Sequence, residues 1–134
     1  MEYDVYIGDI EDAGDHDAIL DAGISTVVKL TNREPEEGYP KEVEVFRLPM
    51  MDGPRNEKET FNRAVKTVEE LLRDGESVLV HCAAGKSRSV TVTAAALSVV
   101  EGNSFEESLE AVRRCRDINA HPALIERGRQ AVES

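Results

Sequence analysis

Lysine is scarce in this sequence, cysteine is scarcer, and no long apolar run occurs. Arginine outnumbers the five lysines (Lys29, Lys41, Lys58, Lys66, Lys86) more than two to one, and acids outweigh both to leave a formal net charge of -11 and a pI near 4.7. A duplex nucleic-acid binder needs a basic face to meet the phosphate backbone, and an anionic membrane makes the same demand, so neither partner class is expected. The acids are spread along the chain. That balance suits a high-salt cytoplasm, where an acidic surface stays hydrated and its self-repulsion is screened, and equally suits an ordinary acidic cytosolic protein. The longest apolar stretch, Val90 to Val100, contains Thr and Ser and ends at Glu101-Gly102, short of the roughly 20 residues that span a bilayer. The opening Met1-Glu2-Tyr3-Asp4 has neither a basic nor an apolar signal region, so a cytoplasmic location is expected. Cys82 and Cys115 are too few for a disulfide framework, while His16, His81 and His121 are scattered and no Cys-x-x-Cys pair exists; neither a metal nor another cofactor is expected.

What is present suffices for a folded unit. With 134 residues, 40% of them hydrophobic, and with no repeat, low-complexity tract or linker, the chain reads as a single domain over 1–134, with a monomer favoured. Strand signals at Tyr3 to Gly8, Ile24 to Leu30, Val43 to Leu48 and Ser77 to His81 alternate with helix signals. A short helix over Asp15 to Ala22 ends at Gly23. Apolar residues recur at helical spacing from Glu57 to Arg73, ended by Asp74-Gly75. An apolar helix follows from Ser89 to Val100, and Ser104-Phe105-Glu106-Glu107 forms a capping box for a helix through about Arg116. A last helix is expected from Pro122 toward Val132. Asn32 to Pro40 and Pro49 to Asn56 read as loops. This alternation predicts a three-layer α/β/α sandwich with a mostly parallel central sheet, in which ligands sit at the carboxyl ends of the strands. His81 is such an end.

The chemistry is concentrated in His81-Cys82-Ala83-Ala84-Gly85-Lys86-Ser87-Arg88-Ser89. A strand delivers a cysteine into a loop of small residues that opens directly onto a helix, so successive N–H groups of Ala83, Ala84, Gly85, Lys86 and Ser87 can curl around one tetrahedral anion. Gly85 permits backbone angles closed to other residues, and the alanines let the anion approach. Arg88, six positions after Cys82, can return beneath the loop and grip two phosphate oxygens. The same positive field stabilises a thiolate, so Cys82 is expected to be ionised at neutral pH and to act as a nucleophile toward phosphorus. Ser89 can donate a hydrogen bond to that sulfur when the phosphoenzyme breaks down.

His-Cys-x5-Arg-Ser resembles the signature of the protein tyrosine phosphatase superfamily, and specifically of the small dual-specificity phosphatases, over nearly the whole chain. Val5-Tyr6-Ile7-Gly8-Asp9, the short helix and Gly23-Ile24-Ser25-Thr26-Val27-Val28 look like that family's opening, and Leu48-Pro49-Met50-Met51-Asp52 looks like its general-acid loop. The resemblance implies the family's fold and a phosphatase working through a phosphocysteine intermediate without a metal. It makes Asp52 the acid that protonates the leaving oxygen and then the base that activates water, and it has His81 hydrogen-bond within the loop to position the thiolate. The implied partners are phosphorylated proteins carrying phosphotyrosine and also phosphoserine or phosphothreonine. Lys86 is a departure, since many dual-specificity enzymes have no charge there. It keeps phosphoinositides or another small polyanion open as substrates. Asn119-Ala120-His121-Pro122 matches the family only loosely and receives no role.

Other readings of the same residues stand beside these. A lone cysteine is usually inert packing, and only the company of Gly85, Arg88 and Ser89 reverses that reading for Cys82. Cys115, between Arg114 and Arg116, reads as a structural or exposed thiol. Asp52 on a Gly/Pro loop is also a plausible turn former, and the Arg113-Arg114-Arg116 cluster reads as solvated surface. A non-catalytic phosphate-binding module is the alternative from a different functional class; retention of Cys82, Arg88, Ser89 and an acid at Asp52 speaks against it.

Overall fold

Four short runs rich in β-branched residues make the sheet: Val5–Gly8 (β1), Thr26–Lys29 (β2), Glu44–Arg47 (β3) and Val78–His81 (β4). The structure, a computed structural model, describes residues 3–50, 58–83, 88–115 and Val132. All strand pairings among these residues are parallel, in the order β1-β4-β2-β3. Because β4 lies between β1 and β2, both of its edges are hydrogen-bonded and its side chains are enclosed, as its Val78-Leu79-Val80 run suggests.

Successive side chains of a strand point to opposite faces, and the two faces are filled differently. Val28, Val78 and Val80 join a large core with Phe61, Ala64, Val65, Val68 and Leu72 from helix α3 (Lys58–Arg73). Helices α4 (Arg88–Glu101) and α5 (Phe105–Cys115) complete that layer. Helix α4 is buried at every residue from Ser89 to Ala96, which fits a sequence apolar on all sides and a position between α3, α5 and the sheet. On the opposite face Val27 and Leu79 meet a smaller core of Ala13, Ile19 and Ile24. This side is covered by α1 (Ile10–Ala13) and α2 (His16–Asp21). The result is the three-layer α/β/α arrangement that the alternating elements predict.

Local chemistry sets the boundaries. Asp15 caps α2 by accepting from Ala18 N at 3.1 Å, and the chain then turns at Gly23, whose φ of +76° is costly for any residue with a side chain. The Ser104–Glu107 capping box forms as its spacing predicts, with Glu107 N donating to Ser104 Oγ at 3.1 Å and Ser104 N to Glu107 Oε1 at 3.0 Å. Helix α1 is absent from the sequence reading. It is a single turn held by a second capping box between Asp9 and Asp12, too short to show an apolar period. The apolar helix includes Arg88 as well as Ser89, so the clamp residue is part of it. The expected helix over Pro122 to Val132 falls, apart from Val132, outside the described residues. No helix among the described residues is long and apolar enough to cross a membrane.

Candidate active site

The carboxyl end of β4 is fastened from both sides before the chain enters the loop. His81 O accepts from Leu30 N at 2.9 Å, Cys82 N donates to Gly8 O at 3.4 Å, and Ala83 O accepts from Ile10 N at 3.2 Å. Cys82 is therefore presented by backbone bonds to the connections after β1 and β2, the two strands that flank β4.

The thiol of Cys82 is 1% exposed and lies 3.3 Å from Ser89 Oγ, itself fully buried in the first turn of α4. The first N–H groups of a helix have no partners within it, and the helix dipole adds partial positive charge there. Sulfur and hydroxyl thus sit together at the positive end of a 14-residue helix. The backbone places Arg88 at the same end. Its Nη1 donates to Met50 O at 3.0 Å, while its Nε is buried with no hydrogen-bond partner among the described residues. A buried N–H left over on a guanidinium otherwise held in place suits a group that takes up an anionic oxygen. Met50 N in turn donates to Leu30 O at 3.1 Å, so the segment that follows β3 is tied to the segment that follows β2.

His81 is fully buried. Its Nε2 lies 2.8 Å from Tyr39 Oη and its Nδ1 lies 3.4 Å from the Cys82 carbonyl oxygen. Burial pushes its pKa below the ordinary imidazole value and the Lys29 charge adds to this, against the contact with the Cys82 carbonyl and the charges of Glu34 and Asp9. Burial thus favours the neutral form of the ring. Tyr39 sits in the connection between β2 and β3, which the sequence presents only as a surface loop. Its pKa is pushed well above the ordinary phenol value, first by burial and then by the Glu34 carboxylate. Glu34 is held low chiefly by Lys29; its Oε2 lies 2.7 Å from Lys29 Nζ and its Oε1 lies 3.2 Å from Arg47 Nη2.

Cys82, Arg88, Ser89, His81 and Ala83 are thus gathered at one point, the end of β4 and the start of α4. Asp52 and the loop residues Ala84, Gly85, Lys86 and Ser87 lie outside the described residues, as do Asn119 to Pro122 and the Cys115 side chain. Lys29, Glu34, Tyr39 and Arg47 were not singled out by the sequence. One signal was available: Lys29 closes an otherwise apolar strand, where a charge demands a partner. Among the described residues no group of three or more His, Cys, Asp or Glu side chains is placed to hold a metal ion.

Comparison with known proteins identifies the family. A family model described as the dual specificity phosphatase catalytic domain matches residues 5–126. Mouse (Mus musculus) dual specificity phosphatase 28 is 31% identical over 121 residues, covering 90% of this chain and 73% of the relative. Dual specificity protein phosphatase 22 of the same species is 34% identical over 123 residues, with 90% of this chain but only 64% of the relative covered. The crystal structure of human DUSP28 superposes with a TM-score of 0.87 over 98% of this chain and 93% of that one, at 23% identity, and so speaks for the fold. Since the family match extends through both flanking strands, the cysteine, the arginine and the helix behind them, the chain belongs to the dual specificity phosphatase family and is a phosphatase.

Proposed function

We propose that the protein hydrolyses phosphotyrosine, and also phosphoserine and phosphothreonine, in protein substrates through a phosphocysteine intermediate. The observation that carries this reading is the placement of Cys82 Sγ 3.3 Å from Ser89 Oγ at the N-terminus of α4, with Arg88 in the same first turn. The Cys82 thiolate attacks phosphorus in line with the leaving oxygen. As the S–P bond forms, the P–O bond breaks and the departing oxygen takes the proton of Asp52. Charge building on the phosphoryl oxygens is met by Arg88 and by the N–H groups of Ala83 to Ser87. In the second step the Asp52 carboxylate removes a proton from water, whose oxygen attacks phosphorus. The S–P bond breaks and Ser89 donates its hydroxyl proton in a hydrogen bond to the returning thiolate. The composition supports action as a cytoplasmic monomer.

Lys86, within the Cys82-to-Arg88 segment, favours a second substrate class, because an ammonium near the scissile phosphate would attract a further anionic group. Against it, the net charge of -11 repels polyanions at long range. A panel of phosphopeptides and phosphoinositides decides between them at low and at molar salt. Phosphopeptides should turn over faster, Cys82→Ser should abolish that turnover, and Asp52→Asn should slow phenyl phosphate far more than nitrophenyl phosphate. A phosphoinositide advantage lost in Lys86→Ala would assign the second class. Absence of any turnover would leave a phosphate-binding module.

A further inference from the structure

The acids of this chain are spread along its length, but the strong cations are not. No lysine or arginine precedes Lys29 while eight acids do, so the first 28 residues carry -8 of the formal -11. This stretch folds into β1, at the edge of the sheet among the described residues, and into α1 and α2, which cover the smaller core. Between them lies an open groove of about 370 Å³ whose walls include Tyr6, Leu79, Ala18 and Ala22, with the carboxylates of Asp12 and Asp15 beside them. It shares no residue with the active site.

Register and helix period build this groove. Tyr6 pairs with Leu79, so both side chains stand on the α1–α2 face, where Tyr6 is 37% exposed. Asp15, Ala18 and Ala22 are three and four positions apart and share one side of α2. Ala18 and Ala22 are exposed; their small side chains leave the tyrosine ring uncovered where a surface helix usually presents longer polar groups. Gly8 lets α1 close down on the sheet, since a Cβ there would lie 2.9 Å from Asp12 Cβ and 3.2 Å from Leu79 Cδ1. Each carboxylate uses one oxygen locally: Asp12 Oδ2 accepts from Asp9 N at 2.9 Å and Asp15 Oδ1 from Ala18 N at 3.1 Å. The second oxygen of each has no partner among the described residues, and no lysine or arginine lines the groove. An aromatic wall, an apolar floor and two carboxylates complement side chains that are apolar along the stem and cationic at the tip, set among apolar neighbours.

We infer that this groove docks a basic, apolar segment of the phosphoprotein substrate, an extended peptide in which arginine or lysine flanks leucine-like side chains. The inference deepens the proposed function and rests on its phosphoprotein reading. Charge supplies the reason. A net charge of -11 repels a phosphorylated partner at long range. The acids concentrated around the groove attract a basic segment of the same partner, which offsets that repulsion at a place that leaves the phosphate loop open. Helix α1 joins the two places: Ile10 N donates to Ala83 O at the root of the loop at 3.2 Å, and Asp12, two residues on, lines the groove. A segment docked there raises the effective concentration of its attached phosphate at Cys82.

Two measurements on the whole chain test this. In the first, amide shifts of 15N-labelled protein are followed as the unphosphorylated peptide Arg-Leu-Val-Leu-Arg is added, with Glu-Leu-Val-Leu-Glu as its counterpart. The basic peptide should give saturable shifts at Tyr6, Asp12, Ala18 and Ala22 and bind about tenfold more tightly than the acidic one at low salt. Asp15→Asn keeps an N-cap acceptor but loses the charge, and should weaken binding about threefold, the worth of an exposed ion pair. Ala18→Arg sets a cation and its stem in the groove and should abolish binding. In the second, a phosphotyrosyl peptide is joined to the basic segment by a Gly/Ser linker of about fifteen residues, which spans roughly 20 Å. Its KM should lie about tenfold below that of the unextended peptide, with kcat unchanged. Ala18→Arg should erase that advantage and leave the unextended peptide as in wild type. Equal binding of the two peptides, absence of shifts at the groove, or a KM advantage that is missing or survives Ala18→Arg overturns the inference. The same shifts on concentrating the protein alone would assign the groove to a second copy of the chain and overturn it as well. Failure of the proposed function shows itself separately, as no turnover of any phosphopeptide, while the shifts still decide whether the groove takes the basic segment.

Discussion

The two faces of the sheet divide the work of the molecule. The face toward α3, α4 and α5 holds the larger core, with Phe61, Val68, Val78, Val80 and Phe105 enclosed and the Cys82–Ser89 pair at its upper margin. The face toward α1 and α2 has, among the described residues, a core of five buried side chains, and its upper end is occupied by a buried imidazole and a lysine 6% exposed. Ion pairs of this kind contribute little net stability because desolvation offsets their attraction. Their concentration at the carboxyl end of the sheet, beside the cysteine, marks a place where the chain spends stability on a site, while the opposite layer supplies the stability.

That division can be broken in four ways. Phe61→Ala, in the larger core, should cost about 3–5 kcal/mol of folding stability by leaving a cavity, read as a large fall in the urea midpoint. Arg88→Lys should leave the melting temperature nearly unchanged yet lower kcat/KM by roughly a hundredfold, since an ammonium cannot reproduce the two-point grip; a loss below about tenfold would place the clamp elsewhere.

The third concerns pH. Burial lowers the pKa of His81 in the folded state, so the unfolded chain takes up a proton that the folded chain refuses. Stability is fully present above the ordinary imidazole pKa and is lost as pH falls through it toward the folded value. The fall in melting temperature from pH 7 to pH 5 should be shallower in His81→Gln than in wild type. Glu34 is also held low, but its contribution is lost only at more acid pH, below the ordinary carboxylate value, and does not enter this window. The smallest effect belongs to Lys29→Met. Because Glu34 is 46% exposed and can return to water, stability should change by less than about 1 kcal/mol. A loss of several kcal/mol would make that ion pair a structural device.

The same division explains what the sequence shows and what it hides. Phe61, Ala64, Val65, Val68 and Leu72 announce α3 because one helix carries the whole pattern. The Cys82-to-Ser89 segment is legible because its chemistry is local: strand end, small loop, arginine and helix start follow one another in the chain. The Ser104–Glu107 box is local in the same way. Tyr39 and His81 are 42 positions apart, and their meeting depends on β4 inserting between β1 and β2, an order that no local pattern encodes. Lys29 and Arg47 become neighbours only through the β2–β3 register. Helix α1 was invisible for another reason, since a four-residue turn with Ala13 as its one buried residue has no period to detect.

The central claim is that phosphate passes through Cys82. Rapid acid quench of turnover with a 32P-labelled phosphotyrosyl peptide, followed by mass spectrometry of the quenched chain, tests it most directly. Ser89→Ala, lacking the hydroxyl 3.3 Å from the sulfur, should release the thiolate slowly and accumulate label on Cys82 in a burst approaching one phosphate per chain. Turnover without a burst and without label on Cys82, in wild type and in Ser89→Ala alike, would contradict the phosphocysteine route.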